Sequence, residues 1–229
     1  MAEFVKLTAS DGVELGAYVA RPEGPAKGGL VVVQEIFGVN AHIRSVADRF
    51  AAEGYVAIAP ALFDRIEPGV ELTYEGADMQ KAFGLYQKLS PEKALLDIAA
   101  AYAEIEKEKH TGIGVVGFCY GGLMSWLSAT RGETEKMQPA CCVGYYAGGI
   151  GNFAKEEPSC PVMLHFGAND SHIGPEQIEA VREAHPEVQI YVYEGAEHGF
   201  NCDARASYNP EAAKLAMERT LEFFRTHIA

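Results

Sequence analysis

The sequence predicts an α/β fold in which a mostly parallel, doubly wound sheet carries helices on both faces. Apolar, strand-like runs alternate with amphipathic helical stretches along the 229 residues, an order typical of a parallel sheet. Several of these runs are apolar at every position, as expected for strands that are buried on both faces. No repeat, low-complexity tract or linker interrupts the chain, so we expect a single domain over residues 1–229.

An N-terminal hairpin and six apolar runs are expected to form the strands. Residues 1–20 are typical of a hairpin because Asp11-Gly12 is a favoured two-residue turn. The later runs are short and continuous, which favours buried strands. In chain order they are residues 30–33, 55–62, 113–118, 140–146, 162–167 and 188–193.

Amphipathic stretches between these runs predict the covering helices. Asn40 is a favoured cap for a helix whose apolar residues recur on one face. Prolines in Ser90-Pro91 and Asn209-Pro210 suit the first turns of two further helices. Two more helices are expected over residues 74–89 and 175–184. Ligands of such sheets bind beyond the carboxyl ends of the strands, so residues that directly follow strands are the candidates for chemistry.

Composition and charge exclude several classes of function. Lys and Arg number 19 against 32 Asp and Glu, a net charge of −13 that disfavours nucleic acid and anionic membranes as partners. The five cysteines are odd in number and form no C-x-x-C pair, which favours free thiols in a reducing, cytoplasmic location. The N-terminus has no features of a signal peptide. The uncharged stretch 111–130 contains five glycines and is interpreted as strand, turn and helix rather than a membrane span.

A candidate nucleophile follows the predicted strand 113–118. Gly117-Phe118-Cys119-Tyr120-Gly121 matches the G-x-S-x-G elbow with cysteine in the serine position. A sharp turn from strand to helix strains its central residue and needs glycines where the backbone crowds in. It also places the thiol at the amino end of a helix, which favours a thiolate. A free cysteine is otherwise most often a small buried apolar residue.

Partners for Cys119 occur in the chain order of α/β-hydrolases, which is nucleophile, acid and then histidine. Asp170 and His198 each follow a predicted strand. His198 is expected to move the thiol proton, and Asp170 to fix the imidazole tautomer and stabilise the imidazolium. Alternatively, Asp170 is a turn residue or a helix cap. No spacing of a known zinc site is present, so no metal is expected.

A second acidic candidate, Glu35, follows the strand 30–33 in the segment Gln34–Gly38. We expect it to lie beside the elbow, although an exposed loop acid is the alternative. The backbone N–H groups of Ile36 and Tyr120 are then placed to form an oxyanion hole.

These segments together resemble the dienelactone hydrolase family. The matching stretches are QEIFGVN (34–40), GFCYGG (117–122), GYY (144–146), GAND (167–170) and EHGF (197–200). The resemblance implies an α/β-hydrolase fold and a cofactor-free hydrolase of lactones or activated esters, with Cys119, His198 and Asp170 as its catalytic residues. It also implies that Glu35 is an auxiliary base that takes the thiol proton when substrate binds. Tyr145 matches a family tyrosine near the site, with packing at the rim as the alternative.

The substrate is less well defined than the reaction class. Family members that act on dienelactone clamp a substrate carboxylate with two arginines, and at those positions this chain has Met79 and Cys202. Arg205 is a possible substitute and Phe37 a further candidate for substrate contact. We therefore expect a small lactone or ester substrate, and a monomer or small homo-oligomer. The alternatives are a broader carboxylesterase or thioesterase, and a thiol redox sensor or non-catalytic binding protein.

Overall fold

The fold, described by a computed structural model over residues 2–109 and 112–228, is an eight-stranded sheet covered by helices. The strands are β1 (Ala2–Thr8), β2 (Glu14–Ala20), β3 (Gly28–Val33), β4 (Tyr55–Pro60), β5 (Ile113–Phe118), β6 (Cys141–Tyr145), β7 (Val162–Gly167) and β8 (Gln189–Tyr193). The helices are α1 (Ala41–Ala52), α2 (Gly76–Tyr86), α3 (Pro91–Glu106), α4 (Tyr120–Arg131), α5 (Pro175–Ala184) and α6 (Pro210–His227).

The sheet has the strand order β1-β2-β4-β3-β5-β6-β7-β8. The hairpin strands β1 and β2 are antiparallel, and β2 is antiparallel to β4. From β4 to β8 every neighbouring pair is parallel. The predicted mostly parallel sheet is therefore confirmed. Its parallel part brings the carboxyl ends of β3, β5, β6 and β7 to one edge, where the candidate residues lie.

Helices cover both faces of the sheet, as predicted. On one face α1 and α6 meet, with the rings of Phe50 and Phe224 5.8 Å apart. On the other face α3 contacts α4, and the ring of Trp126 from α4 lies 5.5 Å from that of His185 at the end of α5. Phe50, Trp126 and Phe224 are fully buried, so each helical layer forms a continuous apolar core with the strands beneath it.

Helix starts follow the expected capping chemistry. The side chains of three residues each accept a hydrogen bond from a backbone N–H three positions later, which satisfies a donor that the first turn leaves free. These residues are Asn40 before α1, Ser90 before α3 and Asn209 before α6. Proline occupies the first turn of α3 and of α6, as the sequence predicts.

The last strand differs from the prediction of a strand buried on both faces. β8 lies at the edge of the sheet and pairs with β7. Its Val192 is 41% exposed, and of its five residues Tyr193 alone is buried. An apolar run does not by itself reveal how many faces are covered, because a β-branched or aromatic residue is also favoured on a half-exposed strand. Within the described ranges, no helix is long and apolar enough to cross a membrane.

Candidate active site

The elbow places Cys119 between β5 and α4 in a strained conformation. Its φ and ψ angles are 55° and −114°, a left-handed region that non-glycine residues seldom occupy. A Cβ atom added to Gly117 would lie 1.9 Å from the carbonyl oxygen of Gly121, and one added to Gly121 would lie 2.2 Å from that of Val33. Both glycines are therefore required by close backbone contacts. The Cys119 N–H donates to the Tyr145 carbonyl at 3.0 Å, which fixes the turn to the end of β6.

Asp170 and His198 form a hydrogen-bonded pair near this turn. The distance from His198 Nδ1 to Asp170 Oδ2 is 2.8 Å, and the carboxylate is fully buried. The other oxygen, Oδ1, accepts from the backbone N–H groups of His172 and Ile173 at 2.8 and 3.2 Å. These bonds hold the carboxylate in place, so it orients the imidazole through Nδ1 and leaves Nε2 available for proton transfer.

The loop after β7 is hydrogen-bonded to the loop after β8, and this contact brings Asp170 and His198 together. After β7, the N–H of Asn169 donates to the carbonyl of Ala196 at 2.9 Å, and the N–H of Ala168 donates to the carbonyl of Tyr193 at 2.9 Å. A Cβ on Gly167 would lie 2.4 Å from the Ala196 oxygen. Glycine at this position therefore allows the loop after β7 to contact the loop after β8, although the two are almost 30 residues apart.

The environment of His198 raises its basicity. Burial alone disfavours the imidazolium, but the hydrogen bond to Asp170 and the nearby sulfur of Cys119 outweigh it and raise the pKa of His198 to about 10. Cys119 and His198 line the same cavity. A protonated imidazole beside the sulfur stabilises a thiolate when one forms, and provides a proton donor for a leaving group.

Glu35 lies beyond the end of β3 and is fully buried rather than exposed. Its Oε2 accepts a hydrogen bond from the Tyr74 hydroxyl at 2.9 Å, while its Oε1 lies 3.6 Å from Nη1 of Arg205. Among the described residues Oε1 has no hydrogen-bond partner. Asn40, which caps α1, also donates to the Tyr74 hydroxyl at 3.2 Å. One carboxylate oxygen is thus anchored, and the other faces a cation without a hydrogen bond to it.

One group of residues has the chemistry of a metal site, but its contacts favour a different role. Glu35, His42 and Cys202 are buried, and each offers a ligand atom within 4.8 Å of the others. Burial and the charge of Glu35 raise the pKa of Cys202 to about 12, so the thiol is neutral near pH 7. Tyr74 and Arg205 already contact Glu35. Tyr74 and Arg205 therefore hold Glu35 without an ion, whereas His42 Nε2 has no hydrogen-bond partner among the described residues.

The predicted oxyanion donors lie at neighbouring strand ends. Val33 of β3 pairs in register with Gly117 of β5, and Ile36 and Tyr120 each follow three residues later. Both line the cavity. Tyr120 is the first residue of α4, so its N–H has no acceptor within the helix. This placement supports the two N–H groups as donors to one developing oxyanion.

A cavity of about 490 Å³ brings most of the predicted residues together. It is lined by Ile36, Phe37, Met79, Phe83, Tyr86, Cys119, Tyr120, Gly148, Gly149, His172, His198 and Arg205. The candidates Phe37 and Arg205 are therefore placed for substrate contact. Glu35 and Asp170 lie behind this lining, each in contact with one of its members.

Tyr145 does not belong to this lining. It is fully buried within the sheet, and its hydroxyl shares a 2.7 Å hydrogen bond with Thr220. This placement favours the packing role for Tyr145. The next residue, Tyr146, lies beside the site instead, with its ring 5.1 Å from that of His198. Tyr146 has a φ of 37°, so the alternation of faces along β6 does not continue to it.

Four contributors to the site were not singled out from the sequence. Tyr74 donates a hydrogen bond to Glu35, and a ring nitrogen of His42 lies within 4.8 Å of the Glu35 carboxylate. Phe83 and Tyr86 of α2 form a wall of the cavity. Tyr74 follows a loop that a single bridge between Gly38 and Glu71 ties to the segment after β3. Nothing local in the sequence signals that bridge. The spacing of Phe83 and Tyr86 indicates that they share one helix face, but the sequence does not indicate that this face meets the cavity.

Comparisons with known proteins identify the family of this chain. The sequence model of the dienelactone hydrolase family matches residues 15–228. A provisionally named carboxymethylenebutenolidase of Synechocystis sp. is 35% identical, covering 94% of this chain and 93% of the relative. Carboxymethylenebutenolidase of Pseudomonas putida is 32% identical, covering 97% and 96%. A crystal structure assigned as a dienelactone hydrolase from Klebsiella pneumoniae superposes with a TM-score of 0.84 at 31% identity, covering 98% of this chain and 99% of the other. The chain thus belongs to the dienelactone hydrolase family, and is a hydrolase that acts on lactone or ester bonds.

Proposed function

We propose that this hydrolase opens a small lactone or ester through a covalent thioester on Cys119. The observation that carries the proposal is the His198–Asp170 hydrogen bond of 2.8 Å in a cavity that Cys119 also lines. A nucleophile, a base and a group that orients the base are the three parts of a catalytic triad.

In the first half of the reaction, Cys119 Sγ gives its proton to His198 Nε2 and attacks the carbonyl carbon of the substrate. The carbonyl oxygen becomes an oxyanion that accepts hydrogen bonds from the N–H groups of Ile36 and Tyr120. When the tetrahedral intermediate collapses, the C–O bond breaks and His198 Nε2 gives a proton to the leaving oxygen. In a lactone that oxygen stays attached to the acyl group as a hydroxyl. The product of this half is a thioester.

In the second half, neutral His198 takes a proton from a water molecule, whose oxygen attacks the thioester carbonyl. The C–S bond breaks, and the sulfur takes the proton back from His198, which restores the thiol and the neutral imidazole. We assign Glu35 as an auxiliary acceptor of the thiol proton. Its position behind the cavity lining and its oxygen without a hydrogen bond among the described residues support this assignment.

Substitution of Cys119 tests the proposal. We expect Cys119→Ala to lower kcat for p-nitrophenyl acetate by about a thousandfold or more, because the acyl group then has no sulfur to bond to. Cys160→Ala removes another partly exposed thiol away from the cavity and is the matched control, expected to keep the activity of the original enzyme. Circular dichroism checks that both variants fold.

Retained activity in Cys119→Ala would refute the assignment of Cys119 as the nucleophile. Oxidation of Cys119 by peroxide without turnover of any ester would favour the redox alternative.

A further inference from the structure

Two cysteines that the proposed mechanism does not use lie in contact with each other. The sulfur of Cys160 is 3.8 Å from that of Cys142, although the two residues are 18 positions apart in the chain. Both are free thiols. A disulfide joins its sulfur atoms at about 2.05 Å, so a movement of less than about 2 Å separates this contact from a covalent bond.

The backbone anchors both sides of this contact. Cys142 lies in β6, and its N–H donates to the carbonyl of Pro161, directly before β7, at 3.0 Å. On the other side of Cys160, the N–H and the hydroxyl of Ser159 both donate to the carbonyl of Ala129 in α4 at 2.8 Å. Cys160 thus lies between two anchored neighbours, and the two thiols are held together before any reaction takes place.

The two thiols have different environments. Cys160 is partly exposed, whereas Cys142 is fully buried. Contact with Cys142 lowers the pKa of Cys160, because a neighbouring thiol can donate to the thiolate, and burial raises the pKa of Cys142 well above its usual range. The thiolate is the form that oxidants attack. Cys160 is therefore the thiol that reacts first, with a neutral thiol beside it.

The adjacent residue Cys141 provides an internal comparison. It is as fully buried as Cys142 and lies next to it in β6. Successive side chains of a strand point to opposite faces of the sheet, so Cys141 points away from the face on which Cys142 contacts Cys160. The two cysteines of β6 therefore differ in their access to Cys160 and not in their burial.

We propose that Cys160 and Cys142 are an oxidative modification site, separate from Cys119, at which a peroxide produces a reversible disulfide. In the first step, Cys160 Sγ attacks a peroxide oxygen. An S–O bond forms, the O–O bond breaks, and the second oxygen leaves as hydroxide or alkoxide and takes up a proton. The sulfur is oxidised by two electrons to a sulfenic acid, and the peroxide is reduced.

In the second step, Cys142 Sγ attacks the sulfur of the sulfenic acid. The S–S bond forms, the S–O bond breaks, and the hydroxyl group leaves with the thiol proton as water. A dithiol reductant restores both thiols by thiol–disulfide exchange, and is itself oxidised to a disulfide.

The crosslink closes a loop that contributes to the active site. Between the two cysteines lie Tyr146, whose ring is 5.1 Å from that of His198, and the cavity-lining residues Gly148 and Gly149. The cysteines themselves lie at the amino ends of β6 and β7, at the opposite edge of the sheet from the catalytic residues. The disulfide therefore restricts the unfolded chain and stabilises this loop without contact to the reacting atoms.

Peptide mapping after peroxide treatment tests the proposal. The reduced protein is treated with hydrogen peroxide, its remaining thiols are alkylated, and tryptic peptides are analysed by mass spectrometry. We expect the peptide of Cys160 to be linked to peptide 137–155, which contains both Cys141 and Cys142, and dithiothreitol to release the link. Cys141→Ala is the matched control and should keep the crosslink, whereas Cys142→Ala should lose it.

Thermal unfolding gives a second readout. Peroxide treatment should raise the unfolding midpoint of the original protein and of Cys141→Ala by about 5 °C, and dithiothreitol should reverse the rise. Neither Cys142→Ala nor Cys160→Ala should show it. Circular dichroism checks that each variant is folded.

Three results would overturn the proposal. These are free thiols at Cys142 and Cys160 after peroxide has oxidised Cys119, a crosslink from Cys160 to Cys141, and oxidation of Cys160 to a sulfinic acid with no crosslink. Each result can be read whether or not Cys119 proves to be the nucleophile, because the test follows the thiols themselves and not ester turnover.

Discussion

At the scale of single residues, the hydrogen bond that His198 donates to Asp170 has consequences for both stability and rate. The pKa of His198 in the folded protein is raised to about 10 from an ordinary value of 6.5. Such a group stabilises the fold fully below about pH 6.5, and this contribution is lost as the pH rises through about 10. The free energy of unfolding should therefore fall across this window, as measured by urea titrations at several pH values.

Asp170→Asn should weaken the pH dependence of stability and also lower the rate. Without the carboxylate, the pKa of His198 drops towards its ordinary value, so less stability is lost between pH 6.5 and 10. The amide also favours the wrong imidazole tautomer, and kcat should fall by about a thousandfold or more. The readouts are urea titration, NMR titration of His198 and the pH profile of kcat. Asp203→Asn makes the same charge change next to His42, so it should leave the pKa of His198 in place. An equal shift in both variants would contradict the assigned pairing.

The buried carboxylate of Glu35 is held in place by the side chains around it. Tyr74 donates to one oxygen, Asn40 donates to the Tyr74 hydroxyl, and Arg205 faces the other oxygen. Asn40 thereby links the cap of α1 to the site, since its own carboxamide oxygen accepts from Ile43. A residue that has the sequence features of an ordinary helix cap therefore also supports Glu35, the proposed auxiliary base.

At the scale of elements, the elbow depends on the contact between the end of β5 and the start of α4. Gly117→Ala places a methyl group 1.9 Å from the Gly121 carbonyl oxygen, and this clash is with backbone that cannot rotate away. We expect the free energy of unfolding to fall by about 3 kcal/mol or more, measured by chemical denaturation.

Gly84→Ala in α2 is the matched control for this prediction. No atom lies within 4 Å of a Cβ added at Gly84, and alanine is a better helix former than glycine by about 1 kcal/mol. This variant should therefore be as stable as the original protein or more stable. Equal stability of the Gly117→Ala and Gly84→Ala variants would show that the elbow does not need its glycines.

The sequence predicts elements and motifs well where the residues that determine them are close together in the chain. Alternating apolar runs predict the parallel strands, the caps predict the starts of α1, α3 and α6, and the glycines of the elbow predict a sharp turn. The different positions of Tyr145 and Tyr146 cannot be predicted from neighbouring residues, because they depend on how the backbone leaves β6 after its last paired residue. The edge position of β8 is not local either, since it depends on which strands flank it.

At the scale of the whole molecule, the site is an outcome of strand order. β3 and β5 are neighbours although α1, β4, α2 and α3 separate them in the chain. This arrangement brings Glu35 and Ile36 to the elbow. β7 and β8 are also neighbours, which joins the loops of Asp170 and His198. The order of these residues along the chain predicts the triad, but the partners of Glu35 come from distant loops and only the folded structure reveals them.

In the proposed mechanism, the acyl group of the substrate becomes attached to the sulfur of Cys119. Rapid acid quenching during turnover of an activated ester, followed by mass spectrometry of the intact protein and of its peptides, measures this directly. We predict a mass increase equal to one acyl group, located on the peptide that contains Cys119 and absent from Cys119→Ala. An acyl group on another residue, or a burst of product release with no acylated protein, would contradict the account.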